Sequence, residues 1–120
     1  MPAVSPRLGP PSAPYSERML VAFSVAPTTP DTPDGSVSAA VAEAVRIVRE
    51  SGLPNETTAM FTTIEGEDWD EVFGVIKRAT EAVTAVSPRV SLVIKADIRP
   101  GHTGQLTEKV RRVEDRLGGV

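Results

Sequence analysis

The chain has 120 residues, of which 40% are hydrophobic and 24% charged, with a formal net charge of −3. These values predict one globular domain. The absence of cysteine excludes disulfides, thiolate catalysis and cysteine zinc sites, and it fits a cytoplasmic protein. The mild acidity argues against binding to nucleic acid or an anionic membrane, and no apolar run reaches the roughly 20 residues of a membrane span.

The N-terminal segment 1–17 is rich in proline, which fixes φ and removes a backbone donor. We predict a disordered tail there and a folded domain over 18–120. Residues 19–26 (MLVAFSVA) form an apolar run that indicates a strand. After a loop over 27–35, Ser36 is suited to cap a helix that ends near Gly52. The apolar stripe of this helix is Val37, Val41, Ala44, Val45 and Val48.

A hairpin follows, with a short strand at 55–58, a turn near Ala59 and a clearer strand at 60–66. Asp68 and Glu71 match a capping box that opens a second amphipathic helix, which ends before Pro88. Its predicted apolar stripe is Val72, Ile76, Ala79, Val83 and Val86.

Residues 89–100 alternate between apolar and mostly polar side chains, which indicates a strand. A third helix then carries Leu106, Val110, Val113 and Leu117 on one face. The element order β-α-β-β-α-β plus a C-terminal helix is that of the ferredoxin-like split βαβ fold. We therefore predict an α+β domain with an antiparallel four-stranded sheet, its third strand between the first two, covered by helices on one face.

Few residues can carry catalysis. The single histidine, His102, lies in a Gly/Pro loop, and no nucleophile elbow, dinucleotide-binding motif or phosphate-binding loop is present in the sequence. We therefore expect a binding protein without enzymatic activity and without a cofactor or metal. Glu65 at a strand end is the best candidate for a ligand acceptor, while Trp69 at a helix start suits either packing or cation stacking.

Three hydroxyls are further candidates. Thr62 and Thr63 place one hydroxyl on each face of their strand, although threonine is also simply a good strand former. Ser24 interrupts an apolar strand, so its hydroxyl needs a partner in the protein or a ligand.

Three segments resemble a family of small thiamine-binding proteins: FSVAPTTP (23–30), SGLPNETTAMFTTIEGE (51–67) and RVSLVIKADIR (89–99). The resemblance spans residues 18–117 and implies a ferredoxin-like subunit that forms dimers or tetramers through its sheets. It also implies binding of thiamine or hydroxymethylpyrimidine in thiamine salvage or transport. It points to ligand contacts at Ser24, Thr62 and Glu65, with the loop and helix start from Thr28 to Ser38 nearby. The predicted ligand-binding residues are therefore Ser24, Thr28, Ser36, Thr62, Thr63 and Glu65.

Two alternatives to a thiamine-type binding protein stay open at this point. A ligand-free assembly or regulatory module is compatible with the fold, because ferredoxin-like domains host many unrelated functions. A small enzyme would have to use Glu65 with Lys95 or Asp97, and no pair of nucleophile and base supports it.

Overall fold

The computed structural model of the protein describes residues 18–28, 37–99 and 104–118. The predicted N-terminal tail at 1–17, Ser36 and His102 lie outside the described residues. The elements, in chain order, are β1 Met19–Pro27, α1 Ser38–Glu50, β2 Asn55–Thr57, β3 Thr62–Gly66, α2 Trp69–Thr84, β4 Val90–Ile98 and α3 Gln105–Arg116.

The four strands form one antiparallel sheet in the order β2-β3-β1-β4. The third strand therefore lies between the first two, which confirms the predicted ferredoxin-like topology. Along β1, Met19, Val21, Phe23 and Val25 face α1 and α2 and are at most 8% exposed. We call this side of the sheet the helix face, and the opposite side, which carries Leu20 and Ala22, the open face.

The core lies between the helix face, α1 and α2. It contains Ala40, Ala44 and Val48 from α1, and from α2 the buried residues Val72, Val75, Ile76, Ala79 and Val83. The predicted stripe of α1 is confirmed in part, because Ala44 and Val48 are buried whereas Val37, Val41 and Val45 are only half-buried. The predicted stripe of α2 is confirmed with one exception. Val86 is 65% exposed, because α2 ends at Thr84 before the stripe reaches it.

Most of the predicted caps and turns are present. Gly52 follows the C-cap Ser51 of α1 with φ +81, and Asp68 at the N-cap of α2 accepts a hydrogen bond from the Asp70 amide. The first helix begins slightly later than predicted, with Val37 as its N-cap residue.

The hairpin turn also differs slightly from the prediction. The amide of Thr58 donates to the carbonyl oxygen of Phe61 at 2.8 Å, and Thr58 Oγ1 donates to the same oxygen at 3.1 Å. Residues 58–61 therefore form the turn between β2 and β3. Strand β3 consequently starts at Thr62 rather than at Met60.

Candidate functional site

A cavity of about 190 Å³ lies on the helix side of the sheet, where the last residues of β1 extend past the start of β3. We call it the hairpin cavity, because the β2–β3 turn closes one side of it and α1 closes another. Its lining residues are Phe23, Ser24, Val25, Ala26, Val41, Ala44, Val45 and residues 57–62.

The walls of the hairpin cavity are mainly apolar, and its polar groups come from threonine. Thr62 is only 7% exposed and lies directly opposite Phe23 of β1 and Thr57 of β2. The Oγ1 atoms of Thr57 and Thr62 are 3.5 Å apart, longer than the roughly 2.5–3.0 Å of a good O–H···O hydrogen bond. Both hydroxyls therefore retain most of their hydrogen-bonding capacity for a further partner.

The register of the sheet separates the predicted site residues into two groups. Thr62 is on the helix face, whereas Thr63 pairs with Ala22, and Glu65 with Leu20, on the open face. Ser24 borders the hairpin cavity, but alternation along β1 directs its side chain to the open face as well. The structure thus brings Thr62 to the hairpin cavity without the hydroxyl of Ser24 or the carboxylate of Glu65.

Glu65 connects β3 to the third helix. It is 2% exposed, its Oε2 accepts hydrogen bonds from the Gln105 amide at 3.1 Å and from Arg18 at 3.3 Å, and its Oε1 accepts from the Leu106 amide at 3.3 Å. Gly104, the N-cap residue of α3, has no side chain to accept these donors. Glu65 therefore caps α3 from a distant part of the chain and also forms an ion pair with Arg18.

A second cavity, of about 210 Å³, lies on the open face and is lined by Leu20, Ala22, Thr63, Lys95, Asp97 and Lys109. Lys109 of α3 forms an ion pair with Asp97 of β4. The hydrogen bond from the Lys109 ammonium group lowers the pKa of Asp97 below its usual value, against an opposing effect of desolvation. The pair leaves Lys95 as a positive charge at the rim.

The other candidates have local partners. Thr28 Oγ1 donates to the carbonyl oxygen of Arg89 at 2.9 Å and so joins the end of β1 to the residue before β4. The Trp69 ring stacks on Phe73, with ring centroids 5.4 Å apart, as the packing interpretation predicts. Over the described ranges there is no group of three or more acidic, histidine or cysteine side chains that could hold a metal, and no helix suited to spanning a membrane.

The apolar wall of the hairpin cavity is not evident from the sequence pattern. The pattern places Met60 and Phe61 in a strand, but they lie in the turn, where Phe61 is half-buried and Met60 is 74% exposed. Val41 and Val45 are apparent only as part of the stripe of α1. The sequence feature that could have indicated this wall is the Thr-Ala-Met-Phe stretch, because large apolar residues are unusual in a tight turn.

A family model described as "Thiamine-binding protein" matches residues 21–114, which include most of β1 and all of α1, the hairpin, α2 and β4. The chain belongs to this family. A UPF0045 protein of Mycobacterium bovis is 56% identical over 99 residues, covering 82% of this chain and 94% of the relative.

Solved structures agree with this assignment. A domain of unknown function, DUF77, from Bacillus cereus shares 34% identity and superposes with a TM-score of 0.65, covering 79% of this chain and 90% of that one. A hypothetical protein of Methanocaldococcus jannaschii superposes with a TM-score of 0.70 at 28% identity, covering 80% and 95%. The ferredoxin-like fold is therefore shared with experimentally determined relatives.

Proposed function

We propose that the protein binds thiamine or its hydroxymethylpyrimidine part without chemical conversion, and that it does so with the pyrimidine ring in the hairpin cavity. Membership of a family described as thiamine-binding supplies the class of ligand. The observation that carries the choice of site is the nearly buried Thr62 hydroxyl, which faces a mainly apolar cavity without a short hydrogen bond.

The chemistry of the cavity suits a flat heteroaromatic ring. Ligand sites are mostly apolar, with a few polar groups that fix orientation. Phe23 and Phe61 supply aromatic surface, and the hydroxyls of Thr57 and Thr62 can each donate to a ring nitrogen or accept from an exocyclic amino group. The open-face cavity is a poorer match, because Lys95 leaves it with a net positive charge beside the Asp97–Lys109 pair, and this charge would repel the thiazolium cation.

The size of the cavity favours the pyrimidine ring over the whole molecule. The hairpin cavity has a volume of about 190 Å³. Pockets for drug-sized ligands begin at roughly 300 Å³. We therefore expect one substituted ring to be enclosed and the thiazolium to project outward. Hydroxymethylpyrimidine and thiamine should then bind with similar affinity. This binding would serve thiamine salvage or transport.

Isothermal titration of the full chain with hydroxymethylpyrimidine, thiamine and thiamine phosphate tests the proposal. Thr62→Val removes the hydroxyl and keeps the shape of the side chain, so we expect about tenfold weaker binding from the loss of one hydrogen bond. Val45→Phe fills the cavity and should abolish binding. Chromatography of the ligand after incubation should recover it unchanged.

Thr63→Val is the matched control, since it makes the same chemical change one residue away on the opposite face of β3. Its affinity should equal that of the natural sequence. Weaker binding in Thr63→Val, with none of the expected loss in Thr62→Val, would move the site to the open face. No heat and no thermal shift with any of the three ligands would overturn the proposal and favour a ligand-free assembly module.

A further inference from the structure

A groove of about 300 Å³ lies between α2 and β4, and we call it the α2–β4 groove. Leu92 and Ile94 of β4 pair with Val25 and Phe23 of β1 and therefore lie on the helix face. Their two partners are buried, yet Leu92 is 41% exposed and Ile94 is 40% exposed. The groove thus leaves apolar surface of the helix face accessible. On the helix side it is lined by Phe73, Ile76, Lys77 and Glu81.

The groove has an aromatic end. Phe73 lines the groove, and Trp69 stacks on Phe73 with ring centroids 5.4 Å apart. Trp69 is 43% exposed although its side chain is large and apolar. Proline-rich segments in the polyproline II conformation bind to grooves lined by aromatic side chains, and because such segments are already extended, little conformational entropy is lost on binding. The α2–β4 groove therefore offers the kind of surface that a proline-rich segment binds.

The chain contains such a segment immediately before the folded domain. Residues 10–14 read PPSAP and carry the spacing P-x-x-P from Pro11 to Pro14. Each proline fixes φ close to the polyproline II value. Leu8 and Tyr15 add apolar side chains on either side of this stretch. The segment therefore has the composition that an aromatic groove recognises.

The segment joins the domain near the aromatic end of the groove. Strand β1 starts at Met19, which pairs with Gly66 at the end of β3, and α2 begins shortly after Gly66, at Trp69. Only residues 15–18 separate Pro14 from Met19. A segment tethered this closely to its binding surface is present there at a high effective concentration. Chain connectivity therefore favours binding within one chain.

Length and charge determine the direction of the segment along the groove. Arg7 precedes Pro14 by seven residues, an extended length of about 22 Å at polyproline II spacing. Trp69 and Glu81 are about 18 Å apart along α2 at the rise of an α-helix. With Pro14 at the aromatic end, Arg7 therefore comes within side-chain reach of Glu81. Glu81 forms no ion pair with another described residue.

We propose that residues 7–14 occupy the α2–β4 groove of the same chain, with Pro14 at Trp69 and Arg7 beside Glu81. Bound there, the segment covers the exposed apolar side chains of β4 and stabilises the domain by their burial. The composition of the segment alone predicts a disordered tail instead. The proposed ligand is not involved, because the hairpin cavity and the groove have no described lining residue in common.

Engineered disulfides in the full chain test this placement, because the natural sequence contains no cysteine. Thr80 lines the groove, and the spacing along α2 places it opposite Gly9 of the bound segment. We expect Gly9→Cys with Thr80→Cys to form an intramolecular disulfide under mild oxidation, since the two Cα atoms would lie within the roughly 7 Å that a disulfide spans. Gly9→Cys with Thr63→Cys is the matched control and should stay reduced, because Thr63 is also a half-buried threonine but lies on the open face.

A second cysteine pair tests the register of the segment in the groove. Ser12 follows Gly9 by three residues, which is about 9 Å along an extended segment. Ser12→Cys with Thr80→Cys should therefore form the disulfide in much lower yield than Gly9→Cys with Thr80→Cys. A higher yield with Ser12→Cys would overturn the proposed register.

The fluorescence of Trp69 reports on the aromatic end of the groove, because Trp69 is the only tryptophan in the sequence. Pro11→Ser with Pro14→Ser in the full chain weakens the preference for the extended conformation. We expect the emission of this variant to shift to longer wavelength and its quenching by acrylamide to increase. Pro2→Ser with Pro6→Ser is the matched control, since both positions precede the bound segment, and it should change neither signal.

A charge swap tests the direction of the segment. Arg7→Glu places two carboxylates side by side at the far end of the groove. The yield of the disulfide from Gly9→Cys with Thr80→Cys should then fall by up to about fivefold, the effect of one exposed ion pair. Adding Glu81→Arg restores opposite charges and should recover the yield. Recovery distinguishes a direct pair from a general effect of either substitution.

Three other outcomes would overturn the proposal. Equal disulfide yields with Thr80→Cys and Thr63→Cys would show that the segment does not occupy the groove. A disulfide between two chains rather than within one would assign the groove to a segment of a second copy. Unchanged Trp69 emission and quenching in Pro11→Ser with Pro14→Ser would exclude contact between the prolines and the aromatic end.

Discussion

Helices α2 and α3 look alike in sequence, since each carries an apolar stripe at helical spacing, yet they differ in environment. Ile76 in the stripe of α2 is 2% exposed, whereas Val110 and Val113 of α3 and its C-cap residue Leu117 are 57–60% exposed. Helix α2 packs on the helix face together with α1. Helix α3 is held mainly by polar contacts, from Glu65 at its N-terminus and Asp97 at Lys109.

The difference shows that amphipathic periodicity reports the hydrophobicity of a helix face but not the presence of a partner for it. Strands β1 and β4 show the same contrast. They pair with each other along nine residues, but only β1 is covered by both α1 and α2. The β1–α1–α2 region should therefore respond to substitution as a packed core. The β4–α3 region should respond as a surface.

We expect the largest difference in stability between alanine substitutions in the apolar stripe of α2 and in that of α3. Ile76→Ala removes buried methyl groups and should lower the free energy of unfolding by about 2–5 kcal/mol. Val113 is already 57% exposed. Val113→Ala should therefore change the free energy of unfolding by no more than about 0.5 kcal/mol. Urea unfolding of both variants measures the contrast. A comparable loss in Val113→Ala would mean that the α3 stripe is covered after all.

Loss of the polar contacts that hold α3 should have the next largest effect on the free energy of unfolding. Glu65→Ala deprives the Gln105 and Leu106 amides of their acceptor and leaves Arg18 with only Glu67 as an ion-pair partner among the described residues. This loss should destabilise the protein by roughly 2–4 kcal/mol. Amide exchange in the first turn of α3 should accelerate. Ligand affinity measured below the unfolding transition should be unchanged.

Glu67→Ala is the control for this change, because Glu67 is 28% exposed and pairs with Arg18 at 3.4 Å. Glu67→Ala should lower the free energy of unfolding by no more than about 1 kcal/mol. A weaker effect of Glu65→Ala than of Glu67→Ala would show that the cap contributes little.

Strand β3 packs closely against α2 at Gly66, and a substitution there should have a smaller effect on stability. A Cβ at Gly66 would lie 2.5 Å from Val72 Cγ2. Gly66→Ala should therefore destabilise the protein by about 1–3 kcal/mol through overpacking. At Gly74, within α2, the nearest atom is Arg78 Nη1 at 3.6 Å. Gly74→Ala should instead stabilise the protein by about 0.5–1 kcal/mol. Thermal unfolding of the two variants should therefore shift in opposite directions.

The Asp97–Lys109 pair should give the smallest effect. Because the folded-state pKa of Asp97 is lowered below 3.8, the pair stabilises the fold above that pH and loses its contribution as pH falls through the folded pKa. Both side chains are 44% exposed. The contribution should therefore stay below about 1 kcal/mol. Lys109→Met should flatten the dependence of the free energy of unfolding on pH as the pH falls below 3.8. An unaltered profile would show that the pair is not maintained in solution.

The fold was largely predictable because local signals agreed with one another. The capping residue Asp68, the C′ glycine Gly52 and the two covered stripes each act within a few residues of the chain. Errors appeared where tertiary structure or a turn intervened, as at Val86 beyond the end of α2 and at Met60 in the hairpin turn.

The candidate site was less predictable. Thr62 could be identified as a polar group in a strand, but its face depends on the pairing register with β1. Glu65 resembles a ligand acceptor in the sequence because a carboxylate at a strand end has no local partner. Its partners, Arg18 and the first turn of α3, are distant from it in the chain.

Local patterns were sufficient for the order of the elements, the amphipathic faces and the family resemblance, because periodicity, caps and short motifs depend on neighbouring residues. Which faces are covered, which hydroxyl borders a cavity and what the Glu65 carboxylate contacts became apparent only in the folded chain. Those properties depend on residues far apart in the sequence, and their positions are fixed only when the sheet register and the helix packing are established together.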